Sequence, residues 1–279
     1  MTETAGLFRG GVDVAGPWRE RLEAAGLDTL AALAAAPGEA RLRAVPGRET
    51  LRLRLADGTA LYLKRHRRPA GRGAVAAVLG AARREYDALG ALAAAGIPVP
   101  EAVACGGGLL GDAAVAVVVT REIPGGEQAD CLLGRRRGRP GRCRCPELAP
   151  RDRPRLLRRI GDLAGRLHRA GWVHQDLYFC HFFAVAADPD LPVYLIDLQR
   201  VTRPGGLRFA GRRLKDLGAL DFAAWECALT RPERAELWAA YREAAALPRW
   251  RLGPYLAAAR VKALGIRRRD LRRAREGRP

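Results

Sequence analysis

Two aspartates in the second half of the sequence are placed where carboxylates could do chemistry. Asp176 lies in the polar and aromatic stretch Trp172–His181, which follows a predicted helix. Asp197 follows the apolar run Val193–Ile196, twenty-one residues after Asp176. Strand ends hold side chains rigidly, so two carboxylates projected there could bind a metal ion and activate a hydroxyl group. Either aspartate alone is more often a turn cap, but the pair in this order after a helix is a specific signal.

The first third of the sequence predicts a small unit of strands around one long helix. Leu51–Leu55 and Leu61–Lys64 both alternate leucine with polar residues, and Asp57-Gly58 between them is a hairpin turn signal. A long helix is expected over Ala74–Ala95, because a glycine and two prolines follow it. Before the hairpin, residues 17–36 predict a helix or a helix pair. Two further strands are expected over Glu101–Cys105 and Ala113–Ile123, separated by Gly106–Gly108.

The remaining sequence predicts mainly helices. A stretch near 134–155 is rich in arginine, glycine and proline, which is typical of an exposed loop or insertion. A helix is expected from there to Gly171. The other predicted elements are two short strands at Phe182–Ala187 and Val193–Leu198, helices over about 213–229, 231–246 and 253–265, and an arginine-rich tail from Arg267.

Composition limits the classes of protein that this chain can be. Its 279 residues are 48% hydrophobic and 28% charged, which excludes a mostly disordered chain. The net charge of +19 comes almost wholly from arginine and favours an anionic partner. The longest apolar run, Ala113–Thr120, is far too short to span a bilayer.

The cysteines and the first residues bear on the cellular compartment. The six cysteines are scattered, as expected of reduced thiols in the cytoplasm. A zinc site from Cys131, Cys143 and Cys145 lacks a paired CxxC and a fourth ligand, so it is not favoured. Met1–Arg9 contains Glu3 and no apolar segment, so secretion is not expected.

The stretch around Asp176 resembles the catalytic loop of the protein-kinase-like fold. His174-Gln175-Asp176 resembles the H-R-D motif, and Asp197-Leu198-Gln199 stands where D-F-G would be. The residues Tyr178 and Cys180-His181-Phe182, together with Ile196–Arg200, resemble the lipopolysaccharide kinase (Kdo/WaaP) family. Arg213–Leu217 also resembles the lower-lobe helix of that family. The resemblance covers roughly residues 41–245, and 172–200 is its specific part.

The resemblance implies an α+β fold with two lobes, a small β-rich N-lobe and a helical C-lobe. The N-lobe is expected over residues 41–123, after an N-terminal helical extension at 1–40. The C-lobe is expected over residues 124–266, with the arginine-rich insertion near 134–155, and a basic tail at 267–279 would follow it.

The resemblance also implies roles for three residues in ATP-dependent phosphoryl transfer. Asp176 would accept the proton of a sugar hydroxyl and orient its oxygen towards the γ-phosphorus. Tyr62-Leu63-Lys64 resembles the strand that carries the phosphate-binding lysine. Arg84-Glu85-Tyr86 lies in the long helix, so Glu85 would hold the Lys64 ammonium for ATP binding.

Three further residues would complete the site, two of them as metal ligands. Asp197 would bind Mg²⁺, and His181 stands where a loop asparagine would bind a second metal ion. Imidazole is a less natural Mg²⁺ ligand than an oxygen, so Mn²⁺, a bound water or a purely structural His181 remain alternatives. His174 is expected to brace the catalytic loop rather than to transfer protons.

Departures from the general kinase pattern argue against a regulated protein kinase. No G-x-G-x-x-G precedes Lys64, and Pro46–Thr50 is either a phosphate-covering turn or an ordinary hairpin turn. Gln175 replaces the arginine that pairs with a phosphorylated activation loop, and the segment Arg200–Arg212 is short. The alternatives are a phosphotransferase of aminoglycoside-kinase type, whose loop has asparagine where His181 stands, and a non-catalytic kinase-like binding module.

The expected acceptor is a sugar of the lipopolysaccharide core, heptose or Kdo, or of a related glycolipid. The basic segments within 135–159 and 267–278 are either solvated surface or sites that hold the protein at the anionic inner face of the inner membrane. They lack interleaved aromatic residues, which argues against nucleic acid as the partner. The expected location is therefore the cytoplasm, peripheral to that membrane.

Overall fold

The structure of the protein is a computed structural model that describes residues 11–134 and 148–275. The core of the arginine-rich insertion, 135–147, and the last four residues of the expected tail lie outside the described residues, as do Cys143 and Cys145. Contacts divide the chain into two units. Unit 1 comprises Met1–Ala93 and Pro100–Glu122, and unit 2 comprises Ala94–Val99 and Ile123–Pro279.

Unit 1 is built on an antiparallel six-stranded sheet in the order β1-β5-β6-β4-β3-β2. The predicted hairpin is confirmed, with Leu51 opposite Leu63 and Leu53 opposite Leu61. Gly58 takes a φ of +83° in its turn, which glycine adopts without steric cost. The strands are β1 Val12–Val14, β2 Ala40–Val45, β3 Arg48–Arg54, β4 Ala60–Pro69, β5 Ala102–Leu110 and β6 Ala113–Arg121.

Helices pack on this sheet because successive side chains of each strand point to opposite faces. Leu61 and Leu63 of β4 lie in an apolar core with Trp18 and Leu33, which belong to the N-terminal helical segment. Lys64 points to the opposite face, where it meets a buried residue of the long helix. The helices of unit 1 are α1 Arg19–Ala24, α2 Leu30–Ala35 and α3 Ala74–Ala94, of which the last confirms the predicted long helix.

The glycine run Gly106–Gly108 lies inside β5, so its interpretation as a separator between strands is wrong. A Cβ on Gly106 would lie 2.7 Å from the carbonyl oxygen of Gly11, and one on Gly107 would lie 2.8 Å from Leu79 Cδ1. The glycines therefore allow a neighbouring strand and α3 to approach β5 closely. Strands β1 and β2 were not predicted, and β1 places part of the expected helical extension in the sheet.

Unit 2 is mainly helical, with one small antiparallel sheet in the order β7-β8-β9. Helix α6 begins at Gly206, so most of the segment Arg200–Arg212 is helical rather than a loop. The described part of the expected tail is also helical, because α8 continues to Arg275. The elements are β7 Gly126–Gln128, α4 Ala129–Leu132, α5 Arg153–Arg169, β8 Phe182–Val185, β9 Val193–Leu195, α6 Gly206–Glu226, α7 Arg231–Ala244 and α8 Arg249–Arg275.

Small residues allow the helices of unit 2 to pack at close range. A Cβ on Gly165 of α5 would lie 2.7 Å from the carbonyl oxygen of Tyr241 in α7. A Cβ on Gly218 of α6 would lie 2.9 Å from Lys262 Cβ in α8, beside the buried Ala259. The two helix pairs are therefore in backbone contact at these glycines.

Two further observations concern the helices and the cysteines of the described residues. Within residues 11–134 and 148–275, no helix combines the length and apolar character that crossing a membrane requires. Cys131 is disulfide-bonded. The expectation that all six thiols are reduced is therefore wrong for Cys131, while Cys105, Cys180 and Cys227 are free.

Alanine at Gly165 is expected to destabilise the protein, because the added methyl would meet the α7 backbone. Overpacking of this kind costs roughly 1–3 kcal/mol, so we expect a loss of about 2 kcal/mol in the free energy of unfolding. The matched control is Gly211→Ala in α6, where nothing lies within 4 Å of the added Cβ. Alanine there is expected to stabilise the helix by up to ~1 kcal/mol. Urea denaturation measures both, and equal stability of the two variants would contradict the close packing of α5 on α7.

Candidate active site

Lys64 and Glu85 form an ion pair within unit 1, as expected. Lys64 Nζ donates a hydrogen bond to Glu85 Oε1. Glu85 is 3% exposed, while the Lys64 side chain retains 18% of its accessible surface. The glutamate therefore fixes a lysine ammonium that still reaches solvent, which is the property required of a phosphate-binding cation.

The turn before Lys64 is a tight hairpin turn between β2 and β3. Gly47 takes a φ of +73°, and its carbonyl oxygen accepts a hydrogen bond of 2.8 Å from the Arg67 backbone N–H. A Cβ at this position would lie 2.7 Å from the Arg67 carbonyl oxygen. The turn is thus packed on β4, and an ordinary hairpin turn accounts for its geometry.

The predicted catalytic loop follows α5 in unit 2 and is held by a buried histidine. Val173 pairs with Thr202 through two backbone hydrogen bonds of 2.9 and 3.1 Å. His174 is fully buried, and its Nε2 donates to the carbonyl oxygen of Ile196 at 3.0 Å. Burial lowers the pKa of His174, which favours the neutral ring. These contacts connect the loop to the strand end that precedes Asp197.

A buried carboxylate, Asp216 of α6, fixes the backbone of this loop. It accepts hydrogen bonds from the backbone N–H groups of His174, at 2.7 Å, and Gln175, at 2.6 Å. Gln175 has a φ of +70°, a left-handed conformation that costs a non-glycine residue roughly 1–2 kcal/mol. Hydrogen bonds to a charged acceptor contribute about 1.5–3 kcal/mol each, which offsets that cost.

Three further side chains support Asp216 from the helical core. His168 Nε2 lies 3.2 Å from Asp216 Oδ2, and His168 Nδ1 lies 2.9 Å from the Tyr241 hydroxyl. Arg213 Nε donates to the same hydroxyl at 2.7 Å. Burial lowers the pKa of His168 and raises that of Tyr241, so both are neutral at pH 7. A neutral His168 with its proton on Nε2 satisfies both of its contacts.

The carboxylate of Asp176 is ion-paired with two cations. Arg200 Nη1 lies 2.9 Å from Asp176 Oδ2 and 3.2 Å from Oδ1. Lys215 Nζ, from α6, lies 3.6 Å from Oδ1. The Asp176 side chain retains 27% of its accessible surface, so a ligand can reach it.

His181 and Asp197 face one another beside Asp176. His181 Nδ1 is 2.6 Å from the backbone carbonyl oxygen of Asp176, so Nδ1 carries the proton and donates it. With Nδ1 occupied by this hydrogen bond, Nε2 is the ring nitrogen left to bind a cation, and it lies 3.7 Å from Asp197 Oδ2. A ring oriented by a carbonyl in this way is the arrangement that metal-binding histidines use. A nitrogen and a carboxylate oxygen at this separation fit a divalent cation between them.

The structure brings the predicted residues together within each unit and adds three that were not predicted. Lys64 and Glu85 are paired in unit 1, and the residues of the catalytic loop, with Asp197, are grouped in unit 2. The residues missed are Arg200, Lys215 and Asp216. All three lie in segments that resembled the family, but the resemblance assigned them no role. Their roles become visible only in the contacts that they make with distant residues.

Lowering the pH from 7.5 to 5 is expected to destabilise the protein partly through His168, whose pKa burial holds below its ordinary value. The unfolded chain takes up a proton near pH 6.5 and the folded chain does not. This site therefore contributes stability that is present above about pH 6.5 and lost below it, at about 1.4 kcal/mol per pH unit. His168→Gln is expected to be less stable at pH 7.5 but to lose stability less steeply. Urea unfolding at pH 5, 6 and 7.5 measures this, and parallel curves would contradict it.

Comparison with known proteins gives one family. The model of the lipopolysaccharide kinase (Kdo/WaaP) family matches residues 46–241. The lipopolysaccharide core heptose(I) kinase WaaP of Pseudomonas aeruginosa PAO1 is 32% identical over 230 residues, which cover 77% of this chain and 81% of that kinase. A solved structure, WaaP in complex with acyl carrier protein, has a TM-score of 0.65 and 27% identity, covering 94% of this chain and 98% of that one.

These matches confirm the fold class and the type of enzyme expected from the sequence. The fold is α+β and protein-kinase-like, with a β-rich N-terminal sheet and a helical C-terminal region. The enzyme is a phosphotransferase, and a kinase uses ATP and typically a divalent metal ion. The matched region spans the candidate site, and the chain belongs to the lipopolysaccharide kinase (Kdo/WaaP) family.

Proposed function

We propose that this kinase transfers the γ-phosphoryl group of ATP to a sugar hydroxyl of the lipopolysaccharide inner core, heptose or Kdo, or of a related glycolipid. The observation that carries the proposal is the grouping of Asp176, His181 and Asp197 in unit 2. The similarity to a heptose(I) kinase supports the sugar acceptor.

Asp176 is the residue that binds the acceptor hydroxyl. Its carboxylate is accessible, and its backbone is fixed on both sides by the contacts of Gln175 and His181. A carboxylate held in this way accepts the hydroxyl proton and directs the oxygen towards the phosphorus, which is the general-base role in phosphoryl transfer. His174 stabilises the loop through its hydrogen bond to the carbonyl oxygen of Ile196.

Asp197 and His181 are the residues that would hold a divalent metal ion. One carboxylate oxygen and one imidazole nitrogen would suit Mn²⁺ as well as Mg²⁺. When bound, the ion neutralises charge on the nucleotide phosphates. The His181 hydrogen bond to the Asp176 carbonyl keeps Nε2 directed at Asp197.

Lys64 and Glu85 bind the nucleotide in unit 1. The buried Glu85 fixes the ammonium of Lys64, which contacts the α- and β-phosphates of ATP. The intact pair argues against a non-catalytic binding module, because a scaffold has no use for a lysine fixed by a buried carboxylate. The family match favours a lipopolysaccharide acceptor over an aminoglycoside-like small molecule.

The acceptor is tested by incubating the protein with γ-labelled ATP, Mg²⁺ and extracted core-truncated lipopolysaccharides. We expect label on an inner-core sugar, located by mass spectrometry. Label on an added aminoglycoside and none on any glycolipid would overturn the proposed acceptor in favour of a small-molecule phosphotransferase.

Asp176→Asn and Asp197→Ala are expected to separate the two carboxylate roles. Loss of a general base lowers the rate by roughly 10²–10⁴-fold, so Asp176→Asn is expected to lose transfer and retain Mg²⁺-dependent ATP binding. Asp197→Ala is expected to lose that Mg²⁺-dependent binding. Calorimetric titration with MgATP and the labelling assay measure both effects. Weakened ATP binding with normal turnover in Asp176→Asn, or an unchanged metal requirement in Asp197→Ala, would contradict the assignment.

The proposed location is the cytoplasm, peripheral to the anionic inner face of the inner membrane. The outer face of α8 supports it, since Val261 and Leu264 are 70% and 51% exposed and lie on the helix side opposite the buried Ala259. Arg268 and Arg272 continue the same exposed face at helical spacing. The exposed apolar side chains and the arginines together offer the apolar and the electrostatic contacts that binding to an anionic bilayer uses.

Neutralising this face is expected to weaken binding to anionic vesicles. An arginine near such a surface contributes about 1 kcal/mol, so Arg268→Gln/Arg272→Gln should lower vesicle affinity by about 30-fold at low salt and by less at physiological salt. The matched control is Arg67→Gln/Arg68→Gln, two exposed charges of β4 in unit 1. Sedimentation with phosphatidylglycerol vesicles measures binding.

A second binding assay, run beside the vesicle assay, separates the membrane from a protein as the partner of α8. Equal vesicle binding by both double variants would overturn the membrane assignment. If the α8 variant instead loses binding to purified acyl carrier protein, the protein present in the WaaP complex, the face is a protein-docking surface. Loss of turnover on a short soluble acceptor would place the arginines in the acceptor site.

A further inference from the structure

Both carboxylate oxygens of Asp176 are in contact with cations. Arg200 Nη1 lies within 3.2 Å of both oxygens, and Lys215 Nζ lies 3.6 Å from Oδ1. An acceptor hydroxyl needs one of these oxygens to receive its proton. A guanidinium in contact with both oxygens competes with the acceptor hydroxyl for the carboxylate, so the hydroxyl binds there more readily when Arg200 contacts another anion.

Residues 177–180 of the catalytic loop include no lysine or arginine that could neutralise the phosphoryl group during its transfer. Residues 177–180 are leucine, tyrosine, phenylalanine and cysteine. Phosphoryl transfer nevertheless builds charge on three phosphoryl oxygens, and kinases and GTPases neutralise it with lysine, arginine or metal ions. Among the residues that the structure describes in unit 2, Arg200 and Lys215 are the cations in contact with Asp176.

Arg200 has an anchored backbone and an exposed side chain. Its carbonyl oxygen accepts a hydrogen bond from the Gln175 side-chain amide, and it lies three residues after Asp197. Its side chain retains 58% of its accessible surface. The guanidinium can thus move over a few ångströms while its backbone stays fixed to the catalytic loop.

Lys215 approaches from a different and rigid element. It is the neighbour of Asp216 in α6, whose carboxylate holds the loop backbone. Its side chain retains 39% of its accessible surface. Two cations from two separate elements therefore converge on one carboxylate, and both remain accessible to an anionic ligand.

We propose that Arg200 and Lys215 bind the γ-phosphoryl group of ATP during transfer and pair with Asp176 only in its absence. This inference rests on the proposed function and assigns two catalytic residues to it. When the phosphoryl group binds, the two cations move from the carboxylate to the phosphoryl oxygens. The exchange frees Asp176 for the acceptor hydroxyl, so the base becomes available only when the phosphoryl group is present.

The step balances without a further reactant. The acceptor hydroxyl oxygen forms a bond to the γ-phosphorus, and the bond from that phosphorus to the bridging oxygen of ATP breaks. The electron pair of the broken bond leaves with ADP, and the hydroxyl proton passes to the Asp176 carboxylate. Arg200 and Lys215 neutralise charge on the non-bridging oxygens and form no covalent bond.

The test compares Arg200→Gln and Lys215→Gln with Arg208→Gln, an exposed arginine of α6. Removing one group that stabilises transition-state charge costs about 10²–10³-fold in kcat, and we expect a loss of that order for Arg200→Gln. Arg200→Lys should recover part of it, and Arg208→Gln should resemble the wild type. Arg200 is exposed, so its substitution should leave the thermal unfolding midpoint unchanged.

A second readout needs no acceptor. Affinity for the Mg²⁺ complex of the β,γ-imido analogue of ATP is divided by affinity for MgADP, which isolates the contribution of the γ-phosphoryl group. A charge-assisted hydrogen bond supplies about 10-fold or more of this ratio, so both variants should reduce it by that factor. Wild-type protein that labels no glycolipid would count against the proposed function, and this ratio would still decide the present inference.

Two outcomes would overturn the inference. Variants with unchanged or higher kcat and an unchanged affinity ratio would show that the cations only restrain Asp176. Variants with a raised acceptor KM, an unchanged affinity ratio and unimpaired ATP hydrolysis in the absence of acceptor would show that the cations bind an acidic group of the sugar instead.

Discussion

The candidate site depends on the hydrogen bonds that the buried carboxylate of Asp216 makes to the catalytic loop. This carboxylate accepts the backbone N–H groups of two consecutive loop residues and is itself held by His168, which contacts Tyr241. A buried charge is stable only when it is fully hydrogen-bonded, so the loop and the helical core stabilise each other. The loop can then place a reactive carboxylate at a fixed point although the loop itself has little regular structure.

Two residues of the site take backbone conformations that their side chains disfavour. Gln175 has a φ of +70° and Asp197 a φ of +59°. Such conformations cost roughly 1–2 kcal/mol each and persist where the surroundings over-determine them. At Gln175 the surroundings are the Asp216 carboxylate and the carbonyl oxygen of Arg200. The left-handed Asp197 turns its carboxylate towards His181 directly after a strand.

The fold was predictable where its causes are local. The leucine alternation of the hairpin and the glycine and prolines after α3 specify those elements within a few residues. Gly106–Gly108 suggested a separator between two strands, because glycine serves both in turns and where distant segments approach closely. The motif around Asp176 predicted most residues of the candidate site. Asp216 and Lys215 lay in a segment that resembled the family but were not assigned roles, because their contacts span about forty positions of sequence.

The two edges of the six-stranded sheet differ in how they avoid pairing with another chain. Strand β2 is exposed throughout and has a bulge between Arg41 and Arg43, both of which weaken an edge as a template. At the other edge, β1 is only three residues long and covers β5, most of which is buried. An affinity tag or a truncation that displaces Val12–Val14 would bare the backbone of β5. We therefore expect recombinant forms shortened past that strand to aggregate even though every residue of the candidate site is intact.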